Sequence, residues 1–233
     1  MINLVLPPVN RPFVLALQQI APTSGHWSVI GGFAVWTHLG ENHRPTLDVD
    51  AAAAPGAHAT LVSLGTAGDD AHRRFVAGVK LEVIEVDDPG PGINDLDDKD
   101  RLFIAGHWAA ATTTIDREIR CEELHVVVPV ARRLPLIACK LHAWIDRRDQ
   151  RADKRGSDGL DIVRLLDSAD WDSLAADTDA VDGLRPAVAF AAQHVLIDQA
   201  ARVSRLIQVH TDANLPATEQ VRMLGARLLA VVS

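Results

Sequence analysis

The chain has 233 residues, of which 48% are hydrophobic and 23% charged. That balance is typical of a folded globular chain and excludes a disordered one. No apolar run reaches the roughly 18 residues of a bilayer-spanning helix, so a membrane protein is excluded as well. The formal net charge of −8 argues against non-specific nucleic-acid binding, because an acidic surface repels phosphates.

The length allows one large domain or two small ones. The N-terminal stretch MINLVLPPVN has no basic leader, and Pro7 and Pro8 interrupt its apolar run, so a signal peptide is not expected. Cys121 and Cys139 form no paired framework. This fits a reducing cytoplasm and excludes a cysteine-based zinc site. The charge is uneven: residues 132–155 hold eight Arg or Lys against three Asp, a local +5, leaving −13 on the rest. Such a run reads either as a solvated helix face or as a basic wall beside an acidic centre. Tyr is absent and there are five Trp and five Phe, too few for the stacking platforms of RNA-binding modules.

In chain order, Arg11–Ile20 reads as an amphipathic helix with Phe13, Leu17 and Ile20 on one side. His26–Ile30 reads as a buried strand running into Gly31-Gly32, and Phe33–Leu39 as a helix. Thr46–Ala51 alternates with period two, which predicts a strand. Pro55 and Gly56 end it, and His58–Leu64 is helical in composition. Val79–Val86 predicts a third strand, apolar at Val79, Leu81 and Val83. Residues 87–100 read as a Pro-, Gly- and Asp-rich loop, with the run Asp95–Asp100 solvated because it lacks the Gly and closing Glu of an EF-hand. Leu102–Ala105 and His125–Val128 are weaker strand candidates. From Pro135 the period becomes 3.6: Leu136, Ile137, Lys140, Leu141 and Trp144 fall on one helix, and Leu160, Val163 and Leu166 on the next. Ala-rich helical segments follow at about 183–210 and 217–231. The shift near residue 131 predicts an α+β front part, 1–131, and a helical back part, 132–233.

The chemistry concentrates in Gly31-Gly32, the segment Arg44–Asp50 (RPTLDVD) and an acid on the next strand. Residues i and i+2 of a strand share a face, so Asp48 and Asp50 project side by side, about 6 to 7 Å apart along the backbone. Such a pair repels unless a cation sits between them. Hard carboxylate oxygens with room for water and phosphate suit Mg²⁺ (or Mn²⁺). A glycine turn opening a helix offers N–H groups and a dipole to a phosphate. A metal facing a phosphate cradle is the equipment of phosphoryl or nucleotidyl transfer. Glu82 and Glu85 compete as a third acid and point to opposite faces; Glu82 is preferred, because Glu85 shares the apolar face. No HExxH, Gly-x-Ser-x-Gly or Walker loop occurs.

The pattern Ile30-Gly31-Gly32, Leu47-Asp48-Val49-Asp50-Ala51 and Leu81-Glu82-Val83 resembles the nucleotidyltransferase superfamily that includes DNA polymerase beta. Within it, Gly31–Val35 with His38 and Arg44–Asp50 resembles the AbiEii-type, MenT-like toxins. So does a second block: Pro135–Ala143 with Lys140, then Arg147 or Arg148, then Ser157–Leu166 with Asp158 and Asp161. The likeness covers roughly residues 27–167. It departs from the family at Ser157, where a Lys is usual, at Glu82, where Asp is commoner, and in a long gap between Gly32 and Asp48.

The resemblance implies a small mixed β-sheet nucleotidyltransferase core flanked by helices and followed by a C-terminal helical bundle. It implies Mg²⁺ (or Mn²⁺) on Asp48, Asp50 and Glu82, with a nucleoside triphosphate as substrate. Gly31, Gly32, Arg44, Thr46 and Lys140 would contact phosphates. Asp48, Lys140 and Asp161 would be catalytic, Asp161 orienting Lys140 or acting as base. It further implies a cytoplasmic toxin of a toxin–antitoxin pair that adds nucleotides to the tRNA 3′ end and blocks translation, with a cognate antitoxin as partner. Two alternatives stand beside it: transfer to a small cationic antibiotic of the aminoglycoside or lincosamide kind, and a degenerate fold that only binds.

Overall fold

The computed structural model describes residues 3–68, 73–147, 151–208 and 216–233. Among them the chain mixes α and β: ten α-helices and one eight-stranded mixed sheet. It divides into two compact units, Met1–Asp88 with His107–Arg132, and Pro89–Gly106 with Arg133–Ser233.

The first unit holds the whole sheet. Its strands are β1 (Asn3–Val5), β2 (Trp27–Ile30), β3 (Asp48–Ala53), β4 (Thr66–Ala67), β5 (Arg73–Val76), β6 (Val79–Glu85), β7 (Thr114–Cys121) and β8 (Leu124–Ala131). Their spatial order is β1-β7-β8-β2-β3-β6-β5-β4. The central strand β3 runs antiparallel to β2 and parallel to β6.

Register follows from burial. Val49 and Ala51 of β3 stand beside Leu81 and Val83 of β6, and all four are buried. Slipping either strand by one residue would turn these side chains out and draw charged ones in, so the apolar pattern fixes the pairing. The opposite face then carries Asp48, Asp50, Lys80 and Glu82.

Three helices lie wholly within this unit: α1 (Arg11–Ile20), α2 (Gly31–Leu39) and α3 (Pro55–Leu64). Helix α1 buries Phe13, Leu17 and Ile20 as its period predicts. Helix α2 is buried on nearly every side, from Gly32 to His38, as a helix apolar all round must be. Phe33 stacks on Phe13 at 5.4 Å, and Trp36 lies 5.4 Å from Phe33. Helix α3 begins at Pro55 rather than His58, since proline suits the first helical position, where no N–H bond is needed.

Several expectations are corrected. Leu102–Ala105 is not a strand but part of helix α4 (Asp98–Thr112). Leu102, Ala105 and Ala109, at i, i+3 and i+7, are fully buried, a spacing that a four-residue apolar run does not reveal. The run Asp95–Asp100 is solvated, as expected, but it is not all loop: Asp95 ends a 3-10 turn and α4 starts at Asp98. The Asp97 carboxylate accepts the Asp100 N–H at 2.9 Å, and Arg101 donates to the Asp98 carboxylate and to the Leu96 carbonyl. Strand β7 was not legible because charged residues interrupt its period, and β1, β4 and β5 are too short to show one. The sheet is therefore larger than expected.

The second unit is helical: α5 (Arg133–Asp146), α6 (Ala152–Asp167), α7 (Trp171–Ala176), α8 (Leu184–Ala192), α9 (Ala200–Ile207) and α10 (Thr218–Val232), with a π-helical turn Gln193–Asp198 between α8 and α9. Gly225 of α10 lies so close to that turn that a Cβ would sit 2.6 Å from the Leu196 Cβ. No described helix is long and apolar enough to cross a membrane.

Both cysteines are buried and free. Burial pushes the Cys139 thiol up to about 12. Neither thiol is expected to react with an aromatic disulfide at pH 8 until the chain is unfolded, when two per chain should react; prompt reaction of either in the folded protein would contradict this packing.

Candidate metal centre and a buried ion cluster

In the first unit, β2 ends at Ile30, which pairs with Asp50 across the antiparallel ladder. The glycine turn therefore leaves the sheet beside the acids of β3. Gly31 has φ +69°, the left-handed region open mainly to glycine. A Cβ at Gly31 would fall within the Asp50 carboxylate, 2.7 Å from its Cγ. The absent side chain is the space that Asp50 occupies. The N-cap residue Ile30 has no side chain that can cap α2, and the first N–H groups are the positive end of the helix.

Asp48, Asp50 and Glu82 are half-buried, and each offers an oxygen within 4.8 Å of the others. Carboxylates at that spacing repel by on the order of 3 kcal/mol per pair at an effective dielectric of about 20. Part of that repulsion is offset inside the protein. The Lys80 ammonium lies 2.6 Å from Glu82 Oε1 and 3.4 Å from Asp48 Oδ2. Burial lowers the lysine's pKa, but the hydrogen bond and charge of Glu82, joined by Asp48, outweigh it and leave the pKa raised. Lys80 was passed over in the sequence, although it shares a face with Glu82 by simple alternation.

Arg44 and Thr46 sit over the second glycine. A Cβ on Gly32 would lie 2.8 Å from Arg44 Nη2 and 3.0 Å from Thr46 Oγ1. The Arg44 carbonyl accepts the indole N–H of Trp36 at 3.0 Å, which ties this loop to α2. Thr46 precedes β3 instead of lying in it, and its hydroxyl donates to Asp48 Oδ1 at 3.4 Å. Glu85 lies apart, exposed at the strand end, 3.4 Å from His58 Nδ1. Its expected burial fails because β6 ends there.

Two substitutions separate these contacts. Gly31→Ala should cost about 1–3 kcal/mol for the backbone alone and displace Asp50, so both thermal stability and Mg²⁺ response should fall. Gly32→Ala meets only the tip of a flexible arginine and the Thr46 hydroxyl, and should lose much less stability. Equal melting temperatures for the two variants would contradict this geometry.

In the second unit, Lys140 of α5 is buried and donates to Asp161 at 2.8 Å and Asp158 at 3.3 Å. Arg147 Nε reaches the other Asp158 oxygen at 2.5 Å. Asp158 and Asp161 lie well inside α6, not at its start, because the helix begins at Ala152. They are therefore not helix caps but partners of the buried Lys140 and the part-exposed Arg147. Ser157 bonds back to the Lys154 carbonyl. Arg148, the alternative to Arg147, lies outside the described residues.

The donor set on β3 and β6 is all oxygen and anionic, which fits Mg²⁺ or Mn²⁺ and not a soft metal. Comparison with protein-family models found no matching family, and comparison with curated proteins found no match.

Proposed function

We propose that the chain is a metal-dependent nucleotidyltransferase that uses a nucleoside triphosphate. The observation that carries this reading is the meeting of Asp48, Asp50 and Glu82 within 4.8 Å beside a left-handed glycine turn that opens a helix. The resemblance of the same residues to the AbiEii-type, MenT-like nucleotidyltransferases supports it.

Asp48, Asp50 and Glu82 would hold the divalent ion, which supplies charge neutralisation for the triphosphate and lowers the pKa of an attacking hydroxyl. The N–H groups at the start of α2 bind phosphate oxygens. Arg44, over Gly32, and the Thr46 hydroxyl add contacts to the same group. The resemblance alone gives Lys140 a phosphate-directed role; within the second unit its ammonium is held by Asp161 and Asp158. In the reaction the acceptor oxygen bonds to the α-phosphorus and the bond to pyrophosphate breaks. Pyrophosphate leaves with the electron pair, and the hydroxyl proton passes to a carboxylate.

On the resemblance, the acceptor is the tRNA 3′ end, translation is the process stopped, and an antitoxin is the partner. Of the basic segment 132–155, Arg151 and Lys154 are exposed, which suits an RNA acceptor, whereas Lys140 and Arg155 are buried. Incubation with labelled nucleoside triphosphates, Mg²⁺ and total RNA tests this: label should enter RNA of tRNA size. Label in a cationic antibiotic instead would move the acceptor to the small-molecule class, and bound nucleotide without any product would refute the enzyme.

A further inference from the structure

The cluster carries a cation of its own. Lys80 and Glu82 alternate on β6, and the parallel register sets Lys80 beside Asp48 and Glu82 beside Asp50. The ammonium joins acids of two different strands, at 2.6 Å from Glu82 Oε1 and 3.4 Å from Asp48 Oδ2. Its side chain is 26% exposed, so water competes for it only in part. The ammonium takes one unit off the negative charge of the cluster and lies between Asp48 and Glu82, where a second cation would otherwise bridge the two strands.

We propose that Lys80 is a built-in counter-ion of the Asp48–Asp50–Glu82 cluster, holding one of its cation positions so that the nucleotide-free protein takes up a single divalent ion. This rests on the metal-site reading above and deepens it. Lys80 does for the cluster what a second ion would otherwise do: it links β3 to β6 and keeps the carboxylates of Asp48 and Glu82 together.

The test is a titration of the full chain with Mn²⁺ alone, free Mn²⁺ being counted by electron paramagnetic resonance. The wild type should bind one Mn²⁺. Lys80→Met should bind a second, or bind the first at least about tenfold more tightly, because a positive charge a few ångströms away has gone. Lys80→Arg, which keeps the charge, should stay at one. If Lys80→Met does not fold without metal, Lys80→Gln provides a neutral polar side chain, and circular dichroism checks both. Equal stoichiometry and affinity in wild type and Lys80→Met, with the ion lost in Asp50→Asn, would overturn the role of Lys80 and leave the metal site standing. No Mn²⁺ on the wild type, or binding indifferent to Asp50→Asn, would overturn the metal site and this role together.

Discussion

Asp48→Asn is expected to cut triphosphate consumption at least about 10³-fold. A metal ligand contributes several kcal/mol to stabilising the transition state, and about 4 kcal/mol corresponds to that factor. The same change removes one negative charge from a cluster whose members lie within 4.8 Å of one another. Stability without metal should therefore stay level or rise, while the Mg²⁺-induced gain in melting temperature disappears, because a lost ion no longer favours the folded state. Pyrophosphate release and melting with and without Mg²⁺ measure both effects. A variant with full turnover, or one that still gains stability from Mg²⁺, would contradict the assignment of Asp48.

Asp161→Ala is expected to act first on stability. Asp161 is fully buried and holds Lys140 at 2.8 Å, and Asp158 is shared with Arg147. Lys140, Asp158 and Asp161 meet in the interior of the second unit, and Arg147, a third exposed, joins them from the edge. Removing one partner of a buried pair costs about 3–5 kcal/mol, mostly as the penalty of the charge left behind. In a chain of this length that lowers the melting temperature by about 6–20 °C. Lys140→Met combined with Asp161→Leu should regain most of the loss, since a well-packed apolar pair avoids desolvating two charges. If the double variant recovers stability and not turnover, Lys140 serves the reaction as well as the fold. If Asp161→Ala melts like the wild type, the ion cluster does not support the second unit.

Much of the site could be read from the sequence because it depends on local geometry. Asp48-Val-Asp50 and Lys80-Leu-Glu82 alternate so clearly that their shared face follows from strand period alone, and Gly31 sits where a strand pattern turns helical. What escaped depended on partners distant in sequence. Nothing local says that Lys80 will face Asp48; that comes from β3 and β6 being adjacent and in parallel register. The i, i+3 spacing of Asp158 and Asp161 puts both near one face of a helix but names no partner for either. Their burial against Lys140 and Arg147 is a tertiary fact. Leu102–Ala105 shows the limit of periodicity: four apolar residues fit a strand or a helix equally, and only the continuation to Ala109 and Ala110 separates them.

The most direct measurement is the anomalous signal of Mn²⁺ in crystals of the full chain grown with a non-hydrolysable triphosphate. We expect a peak bonded to carboxylate oxygens of Asp48 and Asp50, with phosphate oxygens completing its shell beside Gly31. A cluster with no peak, its three carboxylates engaged only by Lys80 and water while the triphosphate binds elsewhere, would contradict a metal-dependent nucleotidyltransferase.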